Sequence, residues 1–262
     1  MLQLNAVKSG AKFILKRDDI MSWNGFEEIE FEFEGYEASV VLPKIKVENP
    51  VLSVKTEYFN AFPETEVMLL EHGFYVAYID NKNRWGIDED LDRKARFIRY
   101  VTEKYNLAKK CVLVGMSCGG LIAIKLAAKY PELVSCMFLD APVLNYMSCP
   151  CGFGKGNALS SNLDEILNAL SLNTLGELMV YREMPIDKLP ELVKNRIPVV
   201  LVAGDSDTVV PYDENGIFLE KAYKDNSIEI EMHLISGRGH HPHGLSDPTP
   251  VVSFIEKNSK NK

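Results

Sequence analysis

Gly115-Met116-Ser117-Cys118-Gly119 is the segment whose residue types and spacing point most directly to chemistry. It is a G-x-S-x-G pattern. It lies between an apolar run of strand length, CVLVGMS (111–117), and a helix-forming run, GGLIAIKLAAKY (119–130). A serine on so tight a strand-to-helix turn must adopt a strained backbone. Bulky residues two positions away would clash there, and glycines remove the clash. The hydroxyl then projects from the carboxyl edge of a sheet, where it can act as a nucleophile in acyl transfer. The backbone N–H of Cys118 heads the helix, where the helix dipole favours negative charge and can bind an oxyanion. The bland alternative is a small-residue strand–helix junction with no chemistry, so further parts are needed.

A serine nucleophile needs a base, and the base needs an acid to orient it. AGDSDTVVP (203–211) follows an apolar strand-like run, and Asp207 lies just past its end, on the sheet edge expected for Ser117. Asp207 ranks first as the acid. Asp140, ending the strand-like FLDAP, ranks second, and Asp205, suited to capping the turn, ranks third. Three of the five histidines fall in Gly237-Arg238-Gly239-His240-His241-Pro242-His243. His240, after the glycine pair, is the first candidate base, and His241 is its close competitor. His243 is expected to hold the loop or face substrate. A three-histidine cluster also invites a metal reading, but H-H-x-H lacks carboxylates at ligand spacing and Pro242 restricts it, so no metal is expected. His72, at a helix end, and His233, within a strand, read as structural.

The elements that must position these residues alternate between strand type and helix type, the pattern of a mostly parallel sheet covered by helices. FEEIEFEF (26–33) and YEASVVLP (36–43) read as a hairpin across Gly35, followed by a strand in VLSVKTEYF (51–59). A short helix over 64–71 precedes the buried-strand run FYVAYID (74–80), and an amphipathic helix spans 90–106. VSCMFLDAP (134–142), PVVLVAGDSD (198–207) and IEIEMHLIS (228–236) supply later strands. Helices follow over 212–224 and 248–257. The spacing predicts roughly eight strands in a single domain, 1–262, with residues 145–196 as a helical cap insertion. Trp85, and Tyr146 and Phe153 in the cap region, are candidate pocket aromatics, each equally readable as packing.

Composition narrows the function classes. The chain has 262 residues, 46% hydrophobic and 25% charged, which is ordinary globular usage with room for a large core. Its net charge of −8 argues against a nucleic-acid partner and against adsorption to an anionic membrane. No run approaches the ~18 apolar residues of a membrane span. Residues 1–19 show no signal peptide, and five cysteines without a paired CxxC pattern read as reduced thiols. A cytoplasmic location is the resulting expectation. GFGKGN (152–157) lacks the GK[ST] ending of a phosphate-binding loop.

Three signals in this order resemble the α/β-hydrolase superfamily: GMSCGG, the strand plus GDSDTVVP, and GRGHHPHGL. More narrowly, YFNAFPE (58–64), GFYVAYID (73–80) and GHHPHGLSDPTPVVSFI (239–255) are similar to a group of microbial esterase-like hydrolases. The resemblance implies the α/β-hydrolase fold, Ser117 as nucleophile, Asp207 as acid and a histidine of the pair 240–241 as base. It implies ester hydrolysis through an acyl-serine, with a small-molecule ester as substrate and no cofactor. A short-chain or acetylated carbohydrate ester is the expected substrate class. The rivals are a serine peptidase or amidase of the same fold and a non-catalytic binding module. One departure stands out. KTEYFNAF (55–62) occupies the place of the HGGG segment that supplies the second oxyanion donor in many esterases, so the N–H of Tyr58 or Glu57 takes that role, and the Glu57 carboxylate must point away.

Overall fold

The computed structural model describes residues 20–259; the N-terminal segment considered above as a possible leader lies outside the described residues. Nine strands form one sheet. They are β1 (Ile20–Trp23), β2 (Phe26–Phe33), β3 (Tyr36–Leu42), β4 (Leu52–Lys55), β5 (Tyr75–Ile79), β6 (Cys111–Met116), β7 (Val134–Asp140), β8 (Val199–Gly204) and β9 (Ile230–Ile235). Their spatial order is β1-β2-β3-β5-β4-β6-β7-β8-β9. The ladders from β1 to β3, and from β3 to β5, are antiparallel, and all those from β5 onward are parallel.

The central strands are fully buried because helices cover both faces. Side chains alternate across the sheet. Leu113, Met137, Leu139, Val199 and Leu201 pack with Leu121 and Ile122 of α3 (Cys118–Lys129) and Ile98 of α2 (Asp88–Lys104). Val112, Val114, Phe138, Val200 and Val202 face the other way. They pack with Leu69 of α1 (Glu64–Glu71) and with Val251, Val252 and Phe254 of α8 (Thr249–Ser259). Between β7 and β8 lie α4 (Ser160–Ala169), α5 (Leu175–Val180) and α6 (Leu189–Asn195). The remaining helix, α7 (Gly216–Asp225), joins β8 to β9.

Two strand boundaries differ from expectation. β1 adds a ninth strand, joined to β2 by an Asn24-Gly25 turn with φ of 48° and 82°. Asn-Gly is the strongest short-range hairpin signal, and β1 is easily overlooked because it has only four residues. β4 ends at Lys55, well short of residue 59, because the chain turns out of the sheet there. The Lys55 ammonium is buried in an ion pair with Glu66 at 2.6 Å and also donates to the Ala61 carbonyl at 3.0 Å. Tyr58 and Phe62 adopt positive φ (57° and 48°) within that loop.

Register places the site. In the β6–β7 ladder Met116 lies opposite Asp140, and in the β7–β8 ladder Asp140 lies opposite Val202. The carboxyl ends of β6 and β7 are therefore level, and β8 runs two residues further, to Gly204. Ser117 follows β6 directly, and the loops carrying Asp207 and His240 leave β8 and β9 at the same edge.

Candidate active site

Ser117 holds φ 52° and ψ −120°, a conformation unfavourable for a residue with a Cβ. The surrounding backbone fixes it. Its N–H donates to the Asp140 carbonyl at 2.9 Å, and its carbonyl accepts from Gly120 at 3.0 Å and Val143 at 3.1 Å. The flanking glycines are a steric necessity. A Cβ on Gly115 would lie 2.4 Å from the Gly119 carbonyl oxygen, and one on Gly120 would lie 2.5 Å from Pro142 Cβ.

His240 reaches this serine from the loop after β9. Its Nε2 lies 3.1 Å from Ser117 Oγ, and its Nδ1 lies 2.7 Å from Asp207 Oδ2. A carboxylate only accepts, so Nδ1 carries the proton and Nε2 offers its lone pair to the serine hydroxyl. The other Asp207 oxygen accepts from Val209 N–H and Val210 N–H, both at 2.8 Å. Burial raises the Asp207 carboxyl, but the His240 hydrogen bond and the two N–H groups outweigh it and leave it below the usual carboxylate range. The structure thus brings Ser117, His240 and Asp207 into one hydrogen-bonded chain.

The other candidates take different places. Asp140 does not touch His240; it accepts from Arg238 Nη2 at 2.8 Å, His243 Nδ1 at 3.1 Å and Gly244 N–H at 2.6 Å. Asp205 caps the turn, accepting from Gly237 N–H at 2.7 Å. His241 is exposed and stacks on Phe62 with ring centroids 5.9 Å apart, while the hydrogen bonds to Ser117 and Asp207 are made by His240. His243 is buried and holds the loop. His233 bonds to Glu231 at 2.7 Å and His72 to Glu256 at 3.1 Å, both remote from the serine in the fold.

The 56–62 loop lies against the N-terminus of α3. The Thr56 hydroxyl donates to the Gly119 carbonyl at 2.6 Å, and a Cβ on Gly119 would lie 3.5 Å from the Glu57 nitrogen. Glu57 hydrogen-bonds Asn81, so its carboxylate is engaged with the loop after β5. The Tyr58 phenol, raised by burial, is hydrogen-bonded to the Cys118 thiol and to Arg84. Burial also raises the Cys118 thiol to about 11, so it stays neutral at pH 7 and does not compete as a nucleophile.

The alpha/beta hydrolase fold model matches residues 81–150, the stretch that contains β6, Ser117 and α3. Solved structures match across nearly the whole chain. Pyrococcus horikoshii acylaminoacyl peptidase is 17% identical with a TM-score of 0.71, covering 90% of this chain and 42% of its own. Est1E from Butyrivibrio proteoclasticus is 18% identical with a TM-score of 0.63, covering 89% of this chain and 99% of its own. Porphyromonas gingivalis dipeptidyl peptidase 4 is 16% identical with a TM-score of 0.65, covering 94% and 35%. The chain has the α/β-hydrolase fold. It spans less than half the length of the peptidase chains it matches. No curated protein matches its sequence.

Within this α/β-hydrolase fold, burial decides between pocket and packing for two of the three aromatics. Trp85 and Tyr146 are fully buried and meet edge to face at 6.2 Å, so they pack in the core, and Phe153 is exposed to solvent. Arg84, beside Trp85, is the missed residue of this region. It forms a two-pronged pair with Glu165 of α4, at 2.6 and 3.1 Å, and so ties the loop after β5 to the 145–196 segment. Thr56 and Arg238 were also missed. Both lie in segments singled out in the sequence, but their partners, Gly119 and Asp140, are distant in the chain, so their roles appear only when distant strands are brought into register. No helix among the described residues is long and apolar enough to cross a membrane.

Proposed function

We propose that the protein is a serine hydrolase that cleaves small carboxylic esters through an acyl-serine, with Ser117 as nucleophile, His240 as base and Asp207 as the orienting acid. The observation that carries the reading is the continuous hydrogen-bonded chain, 3.1 Å from Ser117 to His240 and 2.7 Å from His240 to Asp207. His240 Nε2 takes the Ser117 proton as Oγ attacks the carbonyl carbon. Asp207 holds the Nδ1–H tautomer and stabilises the imidazolium that forms. The oxyanion is bound by the N–H of Cys118, at the head of α3, and by the N–H of Tyr58; a single such donor is typically worth ~3–4 kcal/mol of barrier. His240 returns the proton to the leaving alcohol, and water then repeats the sequence on the acyl-serine. The chemistry uses no cofactor.

A second reading, amide cleavage, draws on the likeness to acylaminoacyl peptidase and dipeptidyl peptidase 4. The same residues serve it, with an amine as leaving group. The test is a panel of p-nitrophenyl esters, acetylated sugars and aminoacyl amides run beside Ser117→Ala. Ester turnover lost in the folded Ser117→Ala variant, with covalent labelling of Ser117 by a fluorophosphonate, is the expected result. Faster amide than ester turnover favours the second reading. Undiminished hydrolysis in the variant refutes the nucleophile, and absence of both labelling and turnover points to a binding module.

A further inference from the structure

His240, His241 and His243 each offer a nitrogen such that the three atoms lie within 4.8 Å of one another. Their ring centroids form a nearly equilateral triangle, with sides of 4.8, 4.9 and 4.9 Å and planes inclined at 66° to 88°. Imidazoles packed only for burial have no need to converge in this way.

The groups behind the rings are as telling. His240 and His243 each donate Nδ1–H to a buried carboxylate, Asp207 at 2.7 Å and Asp140 at 3.1 Å. In each ring this leaves Nε2 as the lone-pair donor. A carboxylate behind an imidazole whose other nitrogen is free is the arrangement that orients metal-binding histidines and raises their basicity. The sequence reading looked for carboxylates next to the histidines. The fold brings them instead from the ends of β7 and β8, as partners of the rings. Asp140 and Asp207 carry two negative charges here against the single guanidinium of Arg238, 2.8 Å from Asp140, which favours a cation. His241, exposed at the rim, is the third donor and the one freest to adjust. Tetrahedral zinc needs nitrogens roughly 3.3 Å apart, so closure takes movements on the order of an ångström.

We propose that His240, His241 and His243 form a binding site for a zinc-type divalent cation that, when loaded, occupies the His240 lone pair and switches the serine off. The inference rests on the role proposed above for His240, because the nitrogen that would take the Ser117 proton is the one the cation captures. Imidazole donors suit zinc, copper and nickel ions over magnesium or calcium, so the site discriminates between these two groups. Three histidines leave a fourth position open to water.

The test separates binding from catalysis. Cobalt(II) is titrated onto Ser117→Ala, which keeps all three imidazoles. The expected result is one ion bound, with the visible absorption of a four-coordinate cobalt centre, displaced by zinc but not by magnesium. Zinc should inhibit the wild-type enzyme, with EDTA restoring the rate. His241→Gln, at the exposed rim, should weaken both cobalt binding and zinc inhibition at least tenfold, each rate being compared with the same variant without metal. His243→Gln should weaken cobalt binding similarly. An active enzyme that zinc does not inhibit, or one inhibited equally in His241→Gln, overturns the site. Cobalt binding to Ser117→Ala together with a wild-type protein that turns over no acyl substrate leaves the metal site standing and removes the hydrolase reading.

Discussion

Asp140 and Asp207 are both buried carboxylates at one edge of the sheet, and they hold different histidines. Their substitutions should therefore fail differently. Asp207→Asn keeps an oxygen for the Val209 and Val210 N–H groups but favours the wrong His240 tautomer. The expected effect is a fall in kcat of roughly 10³–10⁴ with little change in unfolding midpoint, read by steady-state kinetics and urea titration. Asp140→Ala strands the guanidinium of Arg238, whose side chain is only 8% exposed. Removing one partner of a buried pair typically costs about 3–5 kcal/mol, so this variant should lose stability first and activity through disorder of the His240 loop. Asp205, at an exposed turn, should tolerate Asn in both measurements. The residues of the hydrogen-bonded chain were legible in the sequence because each sits beside a strand end with a local mark: glycines around Ser117, a turn after β8, and a glycine pair before His240. The part played by Asp140 was not legible, since it depends on the register that sets Asp140 opposite Met116.

At the scale of elements, most strands and helices could be read from apolar runs and punctuation, because strands buried on both faces are continuous in sequence and the helices between them are amphipathic. What escaped was the short β1 and the early end of β4, where a buried Lys55–Glu66 pair overrides a strand-like composition. The junctions between elements make sharper predictions. Gly204 ends β8, and a Cβ there would lie 2.0 Å from the Arg238 carbonyl oxygen and 2.8 Å from that of Gly239. Both atoms belong to backbone and cannot rotate aside. Gly204→Ala should push the His240 loop off the sheet edge, lowering ester turnover by at least tenfold while the circular dichroism of the sheet persists. A Cβ on Gly239 meets nothing within 4 Å, and Gly239→Ala should leave the unfolding midpoint close to that of the wild type. Equal effects from the two substitutions would show that close packing of the β8 end against the loop does not position His240.

The whole molecule couples its stability to pH through buried amines and thiols. Lys94 is fully buried; its ammonium donates to the Ile79 carbonyl at 2.8 Å, and desolvation brings it down to about 8. Lys125, lining a cavity of about 480 Å³ between α2, α3 and residues 169–191, is also brought to about 8 by burial. In the unfolded chain both titrate near ~10.4, so from pH ~8 upward the unfolded state holds more protons and stability rises. The thiols work in the opposite sense. Burial raises Cys111 and Cys149 to about 12 and Cys118 to about 11. Unfolded thiols ionise near ~8.5, so above that the folded state holds the extra protons and stability falls. Three buried thiols oppose two buried amines, and the decline should win once both sets are titrating. The urea midpoint should therefore climb slightly from pH 7.5 to about 8.5 and then drop towards pH 10. Lys94→Met should be more stable than the wild type at pH 7, where it removes a buried charge, and should lose part of the climb. Cys111→Ala should make the drop shallower. A midpoint that stays level from pH 7.5 to 10 in all three proteins would mean that these buried groups titrate alike in the folded and unfolded chains, and that the core around β6 admits water.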